Sequence, residues 1–357
     1  MKTTQNSTAN LADYTSFKLG GPVKNMFLPK NSDDLVRFLR NNSLKPVHVL
    51  GYGCNVLISD DGLDGVTVVN RQGNYTIVGT EIIADSGVLW DDIVRLAVEK
   101  DLWGIELLSE IPGSLGGAVF INISAYGQSI SSVIKWVDAW DLKTQKLVRF
   151  AKDDMTWDYK KSIFQENRNL IIIRACLSLS DHALEDLTYQ KALDIALELN
   201  LDKEVLLDRR KIITEARERA GSIWHHDQKY EPRTVGSFFR NPVVRDDKVE
   251  QIIKYDETKK TKDEVLKMNK VHGGKSSRIS AAHVMLACGY ERGQTWENRV
   301  KLNEKNLLKI EAINDATAQD VFDVALEIQK SCIKKLDIKL EPEAQFIGSF
   351  KKQKELI

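Results

Sequence analysis

The run Ser-Asp-Asp-Leu-Val-Arg-Phe-Leu-Arg at residues 32–40 sets apolar residues among charged ones at helical spacing, which predicts an amphipathic helix with Ser32 as its N-cap. The apolar run at 46–50 predicts a short buried strand, and Val56, Leu57 and Ile58 predict another. Further along, strands are expected at 82–84, 132–140 and 170–174 around a helix at 90–100. The Leu-rich, charged stretch at 187–219 has helical spacing and reads as a linker helix or helix pair. Helices at 281–288 and 316–335 and a last strand at 338–340 complete an α+β pattern. Residues 1–181 are thus expected to form one domain of two lobes, 1–70 and 71–181, with a boundary near Asp181. Residues 182–357 are expected to hold the linker helices and a C-terminal domain.

Composition narrows the classes of function. A chain of 357 residues with 42% hydrophobic content can bury more than one core. Lys plus Arg and Asp plus Glu both total 51, so no global basic field recruits nucleic acid or an anionic membrane, and the expected partner is a small molecule. No apolar run approaches the roughly 20 residues that span a bilayer, and the polar start Met1-Lys2-Thr3-Thr4 lacks the apolar core of a secretory signal, so the expectation is a cytoplasmic protein without membrane insertion. Cys54, Cys176, Cys288 and Cys332 are scattered, with no Cys-x-x-Cys pair and no neighbouring His cluster, which argues against a disulfide framework or a metal site.

Two glycine-rich segments carry the candidate chemistry. In Ile-Pro-Gly-Ser-Leu-Gly-Gly at 111–117, followed by Ser-Ala-Tyr-Gly at 124–127, glycines let the backbone approach a ligand and turn N–H groups toward an anion, which suits a diphosphate. Ordinary turn chemistry is the alternative. Upstream, Gly51-Tyr52-Gly53-Cys54-Asn55 runs into Val56 without a third glycine or a following helix, which argues against a Rossmann fingerprint.

With these segments, six stretches in order resemble one family, the UDP-N-acetylenolpyruvoylglucosamine reductases, also called UDP-N-acetylmuramate dehydrogenases. They are Tyr14 to Pro22, the two glycine segments, Tyr159 to Phe164, Gly236 to Pro242, and Leu340-Glu341-Pro342-Glu343. The resemblance implies a two-lobed FAD-binding domain of the vanillyl-alcohol-oxidase-like type followed by an α+β substrate-binding domain. It implies non-covalent FAD, NADPH as reductant, and a UDP-sugar substrate reduced by a monomer. By the resemblance, Gly51, Tyr52, Gly53, Cys54, Asn55, Val56, Pro112, Gly113, Ser114, Gly116, Gly117, Ala125, Tyr126 and Gly127 bind the cofactor, and Tyr159, Arg233 and Asn241 bind substrate. Ser237 is the implied proton donor, where the residues alone favour a turn serine bonded to its own backbone. Glu343 is the implied stabiliser of the enol, where the residues alone allow a carboxylate in a polar tail.

Six positions depart from the family pattern. Lys160 stands where the family has the arginine that clamps the substrate carboxylate, keeping the charge but losing the bidentate fork. Cys54 replaces Ser, Glu110 and Ser124 replace Gly, Ile121 replaces Gln, and Ala220 replaces a lysine, leaving Lys229 and Arg233 as alternative cations. At Ser124 the added Cβ is expected to fall where the backbone needs a positive φ. These departures keep open a paralogue with a different substrate, or a catalytically silent flavin or nucleotide-sugar binding protein.

Overall fold

A computed structural model describes residues 9–42, 46–223, 232–255, 270–271 and 276–355. The chain divides into two units, the first built mainly from Val23–Gly53 and Asp64–Glu231, the second from Asn10–Pro22, Cys54–Leu63 and Pro232–Ile357.

A three-stranded and a five-stranded sheet lie in the first unit. In the smaller, Val66–Val69 lies between Met26–Phe27 and Val47–Leu50, all parallel, and every residue of the central strand is buried. The Ser32–Asn41 helix places Leu35 and Leu39, one turn apart, among Val68, Trp140, Ile171 and Ile173. Full burial of each leucine contributes about 1.5–3 kcal/mol. Asn31 is the N-cap, accepting the Asp34 N–H at 2.9 Å; Ser32, the expected cap, is the first helical residue and donates to the buried Ile173 carbonyl at 2.7 Å.

The larger sheet is antiparallel throughout, in the order Lys146–Ala151, Ile134–Asp141, Leu170–Ser178, Glu81–Asp85, Tyr75–Val78. The strand expected from 132 starts at Ile134 because Ile130–Val133 closes a helical turn first. Against this sheet packs the Trp90–Glu99 helix, whose Trp90, Ile93, Val94 and Ala97 form one buried stripe.

The helices Gln190–Glu198 and Leu206–Arg219 are not a linker. Ile195, Ile212, Ile213 and Ala216 pack with Leu107, and this contact places both helices in the first unit, whose last residue is Glu231, well beyond Asp181. Arg209 shares the buried stripe with Leu206, Ile213 and Ala216, so its charge needs an internal partner. Glu106, equally inaccessible, supplies it at 3.1 Å, and the Lys203 and Glu185 carbonyls accept at 2.6 and 2.7 Å.

The second unit is organised by the Ala318–Leu336 helix, which buries Val321, Phe322, Ala325, Ile328 and Cys332. Thr317 and Asp320 form a capping box at its start, and the Asp60 carboxylate accepts the N–H groups of Ala318 and Gln319 at 2.9 and 3.0 Å. Gly21 crosses the Asp60 carbonyl so closely that a Cβ there would lie 2.0 Å from the oxygen. Val56–Ile58 pairs in parallel with Gln345–Ile347. No ladder forms at 338–340. Ile338 and Leu340 are buried as an apolar pattern requires, but the Leu340 carbonyl is taken by the Gln329 side chain at 2.8 Å, and the strand follows five residues later. Among the described residues no helix is long and apolar enough to cross a membrane.

The Arg209–Glu106 pair generates a stability prediction. Arg209→Ala leaves Glu106 buried and unpaired, and chemical denaturation should show a loss of about 3–5 kcal/mol, partly restored by adding Glu106→Gln. A loss below about 1 kcal/mol would mean that water or another cation already serves Glu106.

Candidate active site

Within the first unit the two glycine segments converge. A Cβ on Gly51 would come 2.7 Å from Ser114 Oγ, so the 51–53 segment passes directly over the start of the second segment. Arg71 steadies the first loop by donating to the Gly51 carbonyl at 2.9 Å while lying over the Tyr52 ring at 5.3 Å. In the second loop, Gly113 has φ +130 with open space where a side chain would project, and its carbonyl accepts the Trp90 N–H at 2.9 Å. Gly116 is the crowded one, its missing Cβ lying 2.9 Å from Ser86 Cβ and 3.0 Å from the Ser86 carbonyl. Pro112 precedes these glycines, and the Ser114 side chain accepts the Gly117 N–H at 3.2 Å.

Ser124–Ala125 and Gln128–Ser129 form a two-residue hairpin whose turn residues, Tyr126 and Gly127, have φ +51 and +91. That is the positive-φ pair a tight antiparallel turn favours. Ser124 itself is extended and paired with Ser129, so the expectation of a positive φ there fails; the position in left-handed backbone is Glu110, at φ +59. Glu110 is held by charge. Its N–H donates to Asp91 at 2.7 Å, and Arg210 bonds both its carboxylate at 3.0 Å and that of Asp91 at 2.6 Å. Burial works against the ionised Asp91, yet Arg210 and the Glu110 N–H outweigh it and hold the carboxyl below its usual range.

Sequence reasoning missed Arg217. Two turns beyond Arg210 on the same helix, its guanidinium donates to the Ser222 carbonyl at 2.8 Å, while its Nε is buried with no partner among the described residues. Burial pulls its pKa down, against the attraction of Tyr126, Glu110 and Asp91. Burial likewise raises the Tyr126 phenol, which Arg217 opposes. Ala220, the family's lysine position, merely caps this helix, and Arg217 supplies a cation one turn earlier. The signal was there in the sevenfold spacing of Arg210 and Arg217, but the helix carries too many charges for it to stand out. Ser124 Oγ is a second buried polar atom with no partner among the described residues. Open glycines at 113 and 127 together with these two orphaned atoms fit a polar, anionic group such as a dinucleotide diphosphate.

Tyr159 and Lys160 form the turn of the hairpin joining Trp157–Asp158 to Lys161–Ser162, with Lys160 half-buried at φ +55. This turn is fastened to the end of the second glycine segment. Ser162 Oγ and Gln165 Nε2 both donate to the Phe120 carbonyl, at 2.6 and 2.9 Å, and Gln165 Nε2 also donates to the Lys160 carbonyl at 3.1 Å. Ile121 caps the Leu115–Phe120 helix and packs against the core of this unit.

The second unit carries the remaining candidates. Cys54, Asn55 and Val56 belong to it, although Gly51, Tyr52 and Gly53 belong to the first. Residues 238–240 run antiparallel to 341–343: Glu343 N–H donates to the Phe238 carbonyl and Arg240 N–H to the Glu341 carbonyl, both at 2.8 Å, with Phe239 opposite Pro342. Ser237 directly precedes Phe238, the residue whose carbonyl accepts the Glu343 N–H. Glu343 is half-buried and Glu341 exposed. Among the described residues no hydrogen bond is made by the Ser237 hydroxyl. Phe238 and Phe239 are fully buried beside it, edge to face at 5.3 Å.

Two implied substrate contacts are engaged elsewhere in the second unit. Asn241 Oδ1 accepts the Ala281 N–H at 3.0 Å and so caps a helix, and the Arg233 guanidinium donates to the Ala312 and Asn314 carbonyls at 2.9 and 2.7 Å. Lys229 lies outside the described residues.

Crowding at Gly116 gives a direct check on the cradle. Gly116→Ala should destabilise the protein by about 1–3 kcal/mol in a denaturant melt, because the Ser86 backbone carbonyl cannot move aside as a side-chain tip can. An unchanged midpoint would show that this loop is looser than its contacts imply.

Comparison with known proteins agrees with this geometry. Residues 23–151 match the family described as FAD binding domain, and residues 228–347 match the one described as UDP-N-acetylenolpyruvoylglucosamine reductase, C-terminal domain. UDP-N-acetylenolpyruvoylglucosamine reductase 2 of Corynebacterium glutamicum is 26% identical over 355 residues, covering 96% of this chain and 94% of the relative. The reductase of Caldanaerobacter subterraneus is 35% identical over 178 residues, covering 49% of this chain and 58% of its own. The fold is shared with the crystal structure of UDP-N-acetylenolpyruvylglucosamine reductase from Thermus caldophilus, with a TM-score of 0.64 at 19% identity and coverage of 96% and 99%. With both family matches in order along the chain and relatives aligned over nearly its whole length, the chain belongs to the UDP-N-acetylenolpyruvoylglucosamine reductase family.

Proposed function

We propose that this protein reduces UDP-N-acetylglucosamine enolpyruvate to UDP-N-acetylmuramate with FAD and NADPH, in the synthesis of peptidoglycan precursor, as a cytoplasmic monomer acting on small molecules. Its similarity to reductases over nearly the full chain supports the reaction; the observation that carries the chemistry is the Glu343–Phe238 backbone bond, made at the residue next to Ser237.

Bound FAD would supply the hydride-transfer chemistry, with NADPH as its reductant. In the first unit, Gly51, Tyr52 and Gly53, the 112–117 segment and the Ala125–Tyr126–Gly127 turn hold the cofactor, with the Arg217 guanidinium and the Ser124 hydroxyl as the polar groups for it. Lys160 holds the substrate carboxylate, where negative charge grows as hydride arrives at the CH2 carbon β to it. Its ammonium gives charge without the planar fork of an arginine, so the clamp is a point contact. In the second unit, Ser237 Oγ donates a proton to the carbon next to that carboxylate, as a general acid. Glu343 orients the enol and stabilises it by hydrogen bonding. Phe238 and Phe239 wall the serine's side of the site with buried rings.

Ser237→Ala should leave oxidation of NADPH by the FAD-loaded protein nearly intact and slow consumption of the enolpyruvyl substrate at least ~100-fold. Stopped-flow absorbance resolves the two half-reactions, and equal rates in wild type and variant would remove Ser237 from the mechanism. For Lys160, the arginine variant should match or exceed wild type and the alanine variant should fall by about two orders of magnitude, on the order of 3 kcal/mol. If wild type and Lys160→Arg are both inert toward this substrate while binding FAD tightly, the lysine belongs to a paralogue with another substrate.

A further inference from the structure

Asn55 lies in the first glycine segment, where its residue type and place suggest a ligand contact, yet its side chain is directed to another task. Its Nδ2 donates to the Glu343 carbonyl at 3.2 Å, and its own carbonyl accepts the Gln345 N–H at 2.9 Å. Gln345 Nε2 donates to the same Glu343 carbonyl at 3.1 Å. Both ends of the Glu343 main chain are therefore fixed: the N–H by Phe238 and the carbonyl by two side-chain amides. The parallel pairing of Val56 with Gln345 and Leu57 with Phe346 continues this attachment for three residues, so the Asn55 contact is the first of a series.

We infer that Asn55 is a positioning residue for the reaction, setting the Glu343 backbone, and through it the carboxyl group, relative to Ser237. This rests on the assignment of Glu343 to the reaction made above. The physical argument is geometric. Glu343 follows Pro342, whose φ is fixed by its ring, and the Phe238 bond fixes its N–H side, so the peptide that follows Glu343 holds the remaining backbone freedom. Asn55 and Gln345 close it. Misplacement of a reacting group by a fraction of an ångström is enough to slow catalysis, and a pair of amides on one carbonyl restricts motion that a single bond allows.

The inference is tested by a double-mutant cycle on the FAD-loaded full-length protein, read in the separate half-reactions. Asn55→Ala and Gln345→Ala should each slow reduction of the enolpyruvyl substrate about 5- to 10-fold, the scale of one hydrogen bond, and Gln345→Ala, which lies outside the glycine segment, should leave NADPH oxidation within twofold of wild type. Asn55→Asp, which keeps the shape and removes the amide donor, should behave like the alanine variant. In a Glu343→Gln background, Asn55→Ala should cost nothing further, because residues that act as one unit are not additive. Gln345→Ala repeats the test from outside the glycine segment, should Asn55→Ala release FAD or lower the melting temperature. Losses that simply multiply in both double variants, or an equal fall in both half-reactions of Gln345→Ala, would overturn the inference while leaving Glu343 in place. An unaffected Glu343→Gln enzyme would overturn the assignment of Glu343 and this inference with it.

Discussion

The bond from the Glu343 N–H to the Phe238 carbonyl is the contact on which the second unit turns. It joins residues more than a hundred positions apart and leaves Ser237 and Glu343 little freedom relative to each other. Around it, three separate stretches of chain are brought together. The 54–63 stretch pairs with Gln345–Ile347 on one side and caps the Ala318–Leu336 helix through Asp60 on the other. The Tyr14–Pro22 motif is explained by the same construction. Ser16 donates to the Thr234 carbonyl at 2.6 Å, the Gly21 N–H donates to the Ser59 carbonyl at 2.9 Å, and Gly21 is a glycine because the Asp60 backbone leaves no room for more.

The first unit relies on buried charge. Arg209 and Glu106 anchor a helix beneath the glycine loop, and Gln128 extends the network, accepting the Leu107 N–H at 2.9 Å and donating to Glu185 at 3.0 Å. Through Gln128 the network reaches the Tyr126–Gly127 turn. Next to it, Arg210 neutralises Asp91 and Glu110, which explains how a glutamate is held at a position that favours glycine: a left-handed residue costs of order 1 kcal/mol, and two charge-assisted bonds offset it. Two departures from the family pattern thus have counterparts in this chain. Glu110 has Arg210, and the missing lysine at Ala220 has Arg217.

Elements whose information is local were legible in the sequence. The Ser32–Asn41 and Ala318–Leu336 helices follow from apolar spacing, and the strand at Val47–Leu50 and the start of the one at Leu170–Ser178 from their apolar residues, although Leu50 alone of Val47–Leu50 is buried, against the expectation of a buried strand. Even there, Asn31 rather than Ser32 took the cap, because the hydroxyl of Ser32 had a buried carbonyl to satisfy. What the sequence hid was pairing at long range. Nothing near Val56 announces Gln345 as its neighbour, so the first glycine segment read as one loop although its residues are shared between two units. The same limit turned Ile338–Leu340 into an expected strand: burial was read correctly, but its partner is a side chain. Among the proposed site residues, Ser237, Glu343 and Lys160 rest on motif position, whereas Arg217 and the task proposed for Asn55 rest on contacts that only folding creates.

The central claim, that this chain performs the reductase reaction with its own proton donor, is tested most directly by following product in heavy water. FAD-loaded protein, NADPH and UDP-N-acetylglucosamine enolpyruvate are mixed in D2O and the product is analysed by mass spectrometry and NMR. The account predicts UDP-N-acetylmuramate carrying one deuterium from solvent at the carbon next to the carboxylate, on a single face, and a second deuterium at the adjoining methyl carbon to the extent that the reduced flavin N–H exchanges with D2O before hydride transfer. Unchanged substrate in the presence of FAD-replete protein and NADPH, or product with deuterium on both faces of that carbon, would contradict it.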